Sequence, residues 1–124
     1  MVIDITMENL TPEKLPVDGN MHVVMFFGPT CGPCKATMPY YEETANFYVN
    51  AGAKIKFYRI DAWNPPEQKQ FCTETWGVRG VPHFKMFYNG SEIKSRVGGG
   101  DGEILRQEIH GAVDEIFKQH NVRI

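Results

Sequence analysis

The chain has 124 residues, 42% of them hydrophobic and 12% aromatic, and a formal net charge of −2 at pH 7. That length fits a single domain, residues 1–124, with enough apolar surface to fill one core and to exclude intrinsic disorder. The charge supplies no basic field for nucleic acid or anionic lipid, and no run reaches the roughly 18 apolar residues of a membrane span, so neither is expected as a partner.

The N-terminal stretch carries Asp4, Glu8 and Glu13 and lacks a basic segment followed by an apolar one, which is not the composition of a signal peptide. A soluble protein that stays where it is made is expected. Val2 to Thr6 reads as a short strand and Glu8 to Pro16 as a short polar helix. Met21 to Phe27 is a continuous apolar run of strand length, as in a strand buried on both faces. Gly28-Pro29 stops it. From Cys34 to Val49 a helix is predicted, carrying Pro39 as a kink and ending at Gly52, where a left-handed backbone is cheap.

Lys54 to Ile60 reads as the next strand. Pro65-Pro66 can open a helix, because the first turn needs no N–H donor from them; this helix would carry Phe71, Cys72 and Trp76. His83 to Tyr88, Asn89-Gly90 and Glu92 to Val97 form a hairpin pattern, since Asn-Gly supplies the positive φ of a tight turn. Gly98-Gly99-Gly100 breaks the sheet. Asp101 is the expected cap of a last helix, with Ile104, Leu105, Ile109, Val113, Ile116 and Phe117 on one face. Alternating units followed by a hairpin and a closing helix imply an α/β fold with a mixed sheet and helices on both faces.

Three cysteines are an odd count, which does not suit a fully paired extracellular framework. Cys31 and Cys34 form a C-x-x-C that follows a buried strand and opens a helix. A sulfur there meets free backbone N–H groups and the positive end of the helix dipole, both of which favour the thiolate. Cys31 is therefore the expected nucleophile. Cys34, inside the first turn, is shielded from bulk partners and can resolve a mixed disulfide. A zinc site is the alternative, but it needs four ligands, and Cys72 with His22, His83 or His110 would have to be recruited from afar.

Several separated motifs together resemble the thioredoxin family. Cys31-Gly32-Pro33-Cys34-Lys35 is similar to its active-site motif, and Pro39 falls where the family kinks its helix. Trp76-Gly77-Val78-Arg79-Gly80-Val81-Pro82 resembles the segment that ends in the family's cis-proline. Tyr88-Asn89-Gly90 and Val97-Gly98-Gly99 resemble its hairpin and the glycine after the last strand. The likeness runs from about Met21 to Phe117. It implies the thioredoxin fold, a cis bond before Pro82, and a substrate surface of Thr30, Gly32, Pro33, Val81, Pro82 and Gly98, with Val81 offering backbone groups to an extended substrate. It further implies a cytoplasmic, monomeric protein-disulfide reductase acting on disulfide-bearing proteins, recharged by a thioredoxin reductase or another dithiol donor, with no cofactor and no metal. A redox-inactive binding module is the alternative function.

Four positions depart from the family pattern. Met25 stands where a buried Asp is usual, and Phe57 where a Lys usually faces it. Losing both avoids an unpaired buried charge, but it removes a base for Cys34, so a slower second exchange step near neutral pH is expected. Thr30 and Phe27 replace two usual tryptophans, which reduces flat aromatic contact beside the dithiol and weakens the case for a typical reductase partner. The stretch from Asp61 to Trp76 is longer than usual by about a turn and a half of helix. Of the remaining candidates, Cys72 reads as a half-buried helix residue, with a regulatory or dimer-forming disulfide as the alternative. His83, if cationic beside Cys31, would favour the thiolate, although a strand histidine more often packs or faces solvent. Lys35 adds positive potential near the dithiol or is a solvated helix residue. Trp63 and Trp76 read as packing residues.

Overall fold

The second strand organises the molecule because nearly all of it is apolar. In the computed structural model, which describes residues 1–98 and 102–121, β2 (Met21–Phe27) lies in the middle of a five-stranded sheet. The strand order is β1-β3-β2-β4-β5, with β1 (Val2–Ile5), β3 (Ile55–Asp61), β4 (His83–Tyr88) and β5 (Ser91–Val97) as its neighbours. β1, β3 and β2 run parallel, whereas β4 is antiparallel to β2 and β5 is antiparallel to β4. The parallel β2–β3 pair needs a crossover, supplied by α1 (Gly32–Asn50). The helices α2 (Pro66–Glu74) and α3 (Gly102–His120) complete the α/β fold.

Alternation along the strands divides the core. Met21, Val23 and Met25 of β2 join Tyr41 and Tyr48 of α1 and Leu105, Ile109 and Ile116 of α3 on one face. Val24 and Phe26 join Cys72, Trp76, Val78 and Phe87 on the other. Helices therefore cover both faces, which is why β2 needs no polar side.

Tyr41 ties the layers together. Its ring is fully buried, and its hydroxyl proton is shared between the carbonyls of Val23, at 3.0 Å, and Tyr58, at 2.8 Å. One α1 side chain thus spans the β2–β3 seam.

The expected elements are present with several corrections. The segment Glu8 to Pro16 contains only a 3-10 turn, Pro12–Lys14, none of whose own residues is buried, while Leu10 packs into the core from the loop before it. α1 begins at Gly32 and runs through Pro39 to Asn50. α2 ends at Glu74, so Trp76 packs from the following turn. Asn89 and Gly90 have φ of 53° and 81°, the positive pair that the hairpin requires. On α3 the buried stripe is Leu105, Ile109, Ala112 and Ile116, while Ile104 and Phe117 are each 44% exposed. The face is narrower than the apolar pattern because the helix meets the sheet beside α1 rather than alone. Gly99, Gly100 and Asp101, read as sheet break and cap, lie outside the described residues. No described helix is long and apolar enough to cross a membrane.

Replacing Tyr41 by Phe removes the shared proton while keeping the ring. The expected loss is about 1 kcal/mol of unfolding free energy, measured by urea titration; an unchanged midpoint would show that the seam does not depend on this hydroxyl.

Candidate active site

β2 ends at Phe27, and the chain turns through Gly28-Pro29-Thr30 into α1. Cys31 is the N-cap of that helix, with extended backbone angles, and its Sγ accepts the Cys34 N–H at 3.1 Å. The first cysteine thus does with sulfur what a Ser or Asp cap does with oxygen. Cys31 and Cys34 are joined as a disulfide, their Cα atoms 5.2 Å apart. Their surroundings differ as the sequence implies. Cys31 is half-buried at the surface, whereas Cys34 is 2% exposed and belongs to the sheet–α1–α3 core.

The segment before β4 closes the site from the opposite side. The Val81–Pro82 bond is cis. The carbonyl oxygen of Val81 lies 3.6 Å from Cys31 Sγ, and the Pro82 carbonyl accepts the Gly98 N–H at 2.8 Å. Gly98 has φ of 98°, a conformation that favours glycine. Of the residues named from the sequence, Cys31, Cys34, Val81, Pro82 and Gly98 are therefore brought together directly. Thr30, Gly32 and Pro33 form the exposed rim of the same turn.

Met25 and Phe57 are both buried in the cluster that contains Cys34. No carboxylate or ammonium occupies either position. The strand register sets Arg59, not Phe57, opposite Met25, while Phe57 is opposite Val23. Arg59 was not singled out from the sequence, yet it lines a groove of about 240 Å³ with Cys34, Phe27, Lys35 and Met38. Its guanidinium stands 5.9 Å from the Phe27 ring centroid and is paired with Asp4. Asp4 comes from β1, so only the three-strand register could have revealed this cation beside the buried sulfur.

Trp63 is the other residue that sequence reading undervalued. It is 38% exposed, and its indole lies directly over Gly28. A Cβ built on Gly28 would sit 2.0 Å from that ring, so only glycine admits the contact. An aromatic face is thus restored beside the dithiol turn, from the β3–α2 connection rather than from the positions of Phe27 and Thr30.

His83 and Cys72 point to the other side of the sheet. His83 packs edge-on against Phe26, and its Nε2 bonds to Ser95 Oγ at 2.6 Å. Burial, aided by the nearby Lys85 ammonium, lowers its pKa, against a smaller opposing effect of Glu92. It is a packed neutral residue, not a cation beside Cys31. Cys72 is completely buried rather than half-buried, and burial, with Asp61 adding to it, pushes its thiol up to about 11. Among the described residues no three His, Cys, Asp or Glu side chains converge as a metal site.

Comparison with known proteins agrees with this geometry. The thioredoxin family model matches residues 3–111. The thioredoxin of Malassezia sympodialis is 38% identical over 76 residues, which cover 61% of this chain and 67% of that protein. The Drosophila melanogaster protein disulfide-isomerase is 32% identical over 93 residues, 75% of this chain but only 18% of that longer protein. Among solved structures, thioredoxin F from spinach chloroplast superposes with a TM-score of 0.73 at 28% identity, covering 90% of this chain and 92% of that one.

Two outcomes follow from these positions. Met25→Asp is expected to accelerate the resolving step about tenfold near neutral pH, with a stability loss of about 3 kcal/mol for an unpaired buried carboxylate. Single-turnover rates measured against pH check it, and no acceleration at any pH would contradict it. Because the folded pKa of His83 lies below its unfolded value, the unfolded chain takes up a proton first on acidification. Stability should therefore decline as pH falls below about 6.5, and His83→Gln should flatten that decline in paired urea titrations at neutral and mildly acidic pH.

Proposed function

The chain belongs to the thioredoxin family and is a dithiol–disulfide oxidoreductase, and we propose that it works as a protein-disulfide reductase with Cys31 attacking and Cys34 resolving. The observation that carries this reading is the asymmetry of the pair. One sulfur caps α1 at the surface beside the Val81 carbonyl, and the other lies buried one turn inside.

In the reduced protein, Cys31 loses its proton at the helix N-terminus, where N–H groups and the dipole favour the thiolate. It attacks one sulfur of the substrate disulfide. The S–S bond breaks, and the departing sulfur leaves as a thiolate that takes up a proton. Cys34, deprotonated in turn, attacks Cys31 Sγ and displaces the second substrate thiol. Two electrons have passed to the substrate, and the protein is left with the Cys31–Cys34 disulfide.

Thr30, Gly32, Pro33, Val81, Pro82 and Gly98 make up the proposed substrate surface. An extended substrate strand pairs with the backbone of Val81, as in β-augmentation. The Gly32-Pro33 dipeptide, similar to that of reductants, supports the reducing direction. The odd cysteine count supports a cytoplasmic setting. The proposed partners are disulfide-bearing proteins and a dithiol donor, either a thioredoxin reductase or another, with the chain acting as a monomer in electron transport.

Insulin-disulfide reduction with a chemical dithiol, repeated with a thioredoxin reductase and NADPH, tests the reading. Turnover is expected with the chemical dithiol, falling to the uncatalysed rate in Cys31→Ser, while Cys34→Ser accumulates a mixed disulfide. Weak turnover in the reductase arm would reflect Thr30. Cellular function retained by a Cys31→Ser/Cys34→Ser double variant would replace this reading with that of a docking module.

A further inference from the structure

Next to Val81, on the side away from α3, the β3–α2 connection, α2 and the segment before Pro82 enclose a cleft of about 160 Å³ whose lining includes Trp63, Lys69, Thr73, Arg79 and Val81. Among the described residues no carboxylate lines it. The walls are built rather than loose. Asp61 Oδ1 accepts the backbone N–H groups of Trp63 and Asn64 at 2.9 and 3.1 Å. The side-chain amide of Gln68, which is 4% exposed, donates to the carbonyls of Asp61 and Asn64 at 2.7 and 3.1 Å. These bonds hold the connection against the sheet, with the Trp63 indole over Gly28.

The charge at the cleft is one-sided. The Lys69 ammonium stands 4.6 Å from the Trp63 ring centroid, a cation–π contact that steadies it at the wall. Arg79 is exposed two residues before Val81. Among the described residues neither cation has an ion-pair partner. Arg59, Lys85, Arg96 and Arg106, which do meet carboxylates, are buried or half-buried. The nearby Asp61 carboxylate keeps its charge but is not part of the lining, its Oδ1 being turned to the backbone N–H groups of Trp63 and Asn64.

We propose that this cleft binds an acidic side chain of the substrate, Asp or Glu, close to the half-cystine that Cys31 attacks, and so gives the protein a preference for disulfides in acidic segments. The inference rests on the reductase reading and names its substrate class. A strand advances roughly 3.3 Å per residue. A substrate paired with Val81 therefore runs over Gly80 and Arg79 within two residues of its half-cystine. There its carboxylate meets the Arg79 guanidinium and the Lys69 ammonium, and its aliphatic stem lies on the Trp63 ring. The Thr73 side chain lines the same wall. Complementary charge at such a rim acts mainly on encounter and selection.

The test uses prereduced protein and two disulfide peptides that differ only in having Glu or Lys at the residues flanking the half-cystine. The wild-type protein is expected to prefer the Glu peptide by about tenfold in second-order rate constant relative to the Lys69→Gln/Arg79→Gln variant. Comparing the two proteins on both peptides cancels the peptides' intrinsic reactivity. The wild-type preference should also shrink as ionic strength rises, a measurement that needs no variant. Equal Glu/Lys ratios in the two proteins, or a preference indifferent to salt, would overturn the acidic-substrate assignment while leaving disulfide reduction intact. Failure of the reduced wild-type protein to exchange with either peptide, or with neutral hydroxyethyl disulfide, would instead overturn the reductase reading itself.

Discussion

The seat of one sulfur at the head of a helix governs the rest of this structure. Cys31 must end the turn after β2 in extended conformation, so that its Sγ meets the Cys34 N–H while its own carbonyl begins α1. That demand fixes where α1 starts and buries Cys34 one turn further on. The dipole that favours an anionic sulfur is therefore the same arrangement that hides its partner. Were α1 to start a residue later, the cap would be lost and the second sulfur would turn toward solvent.

The sheet serves this arrangement by holding the two sides of the site on neighbouring strands. β2 delivers the dithiol turn and β4 begins immediately after Pro82, and the two strands are paired antiparallel from Met21–Tyr88 to Phe26–His83. The end of β2 and the start of β4 thus meet at one edge. The 3.6 Å approach of Cys31 Sγ to the Val81 carbonyl follows from that register. A slip of one residue would reverse every side chain of β4 between the two core halves, so the packing of Phe84 and Met86 on one face and Phe87 on the other also secures the site.

Local chemistry made much of this legible. Asn89-Gly90 specifies a turn through backbone conformation alone, and the Cys31–Cys34 spacing at a strand–helix junction specifies its own surroundings. The residues that were misread depend on register or on packing between elements. His83 follows Pro82 in sequence, yet its side chain opposes the cysteines because it pairs with Phe26, which faces α2. Arg59 reaches the groove beside Cys34 because β3 lies between β1 and β2. From its own segment Trp63 reads as a packing residue, because nothing there shows that Gly28 lies beneath it. A pattern of apolar residues gives a face, but not which neighbour that face will meet.

The interior position of Cys72 has a consequence for how the molecule tolerates oxidants. With its sulfur sealed beneath α2 and its proton held tightly, a chain of three cysteines behaves toward solvent as a chain of two. Oxidation closes the internal ring between Cys31 and Cys34 and leaves no odd thiol outside to cross-link one copy to another.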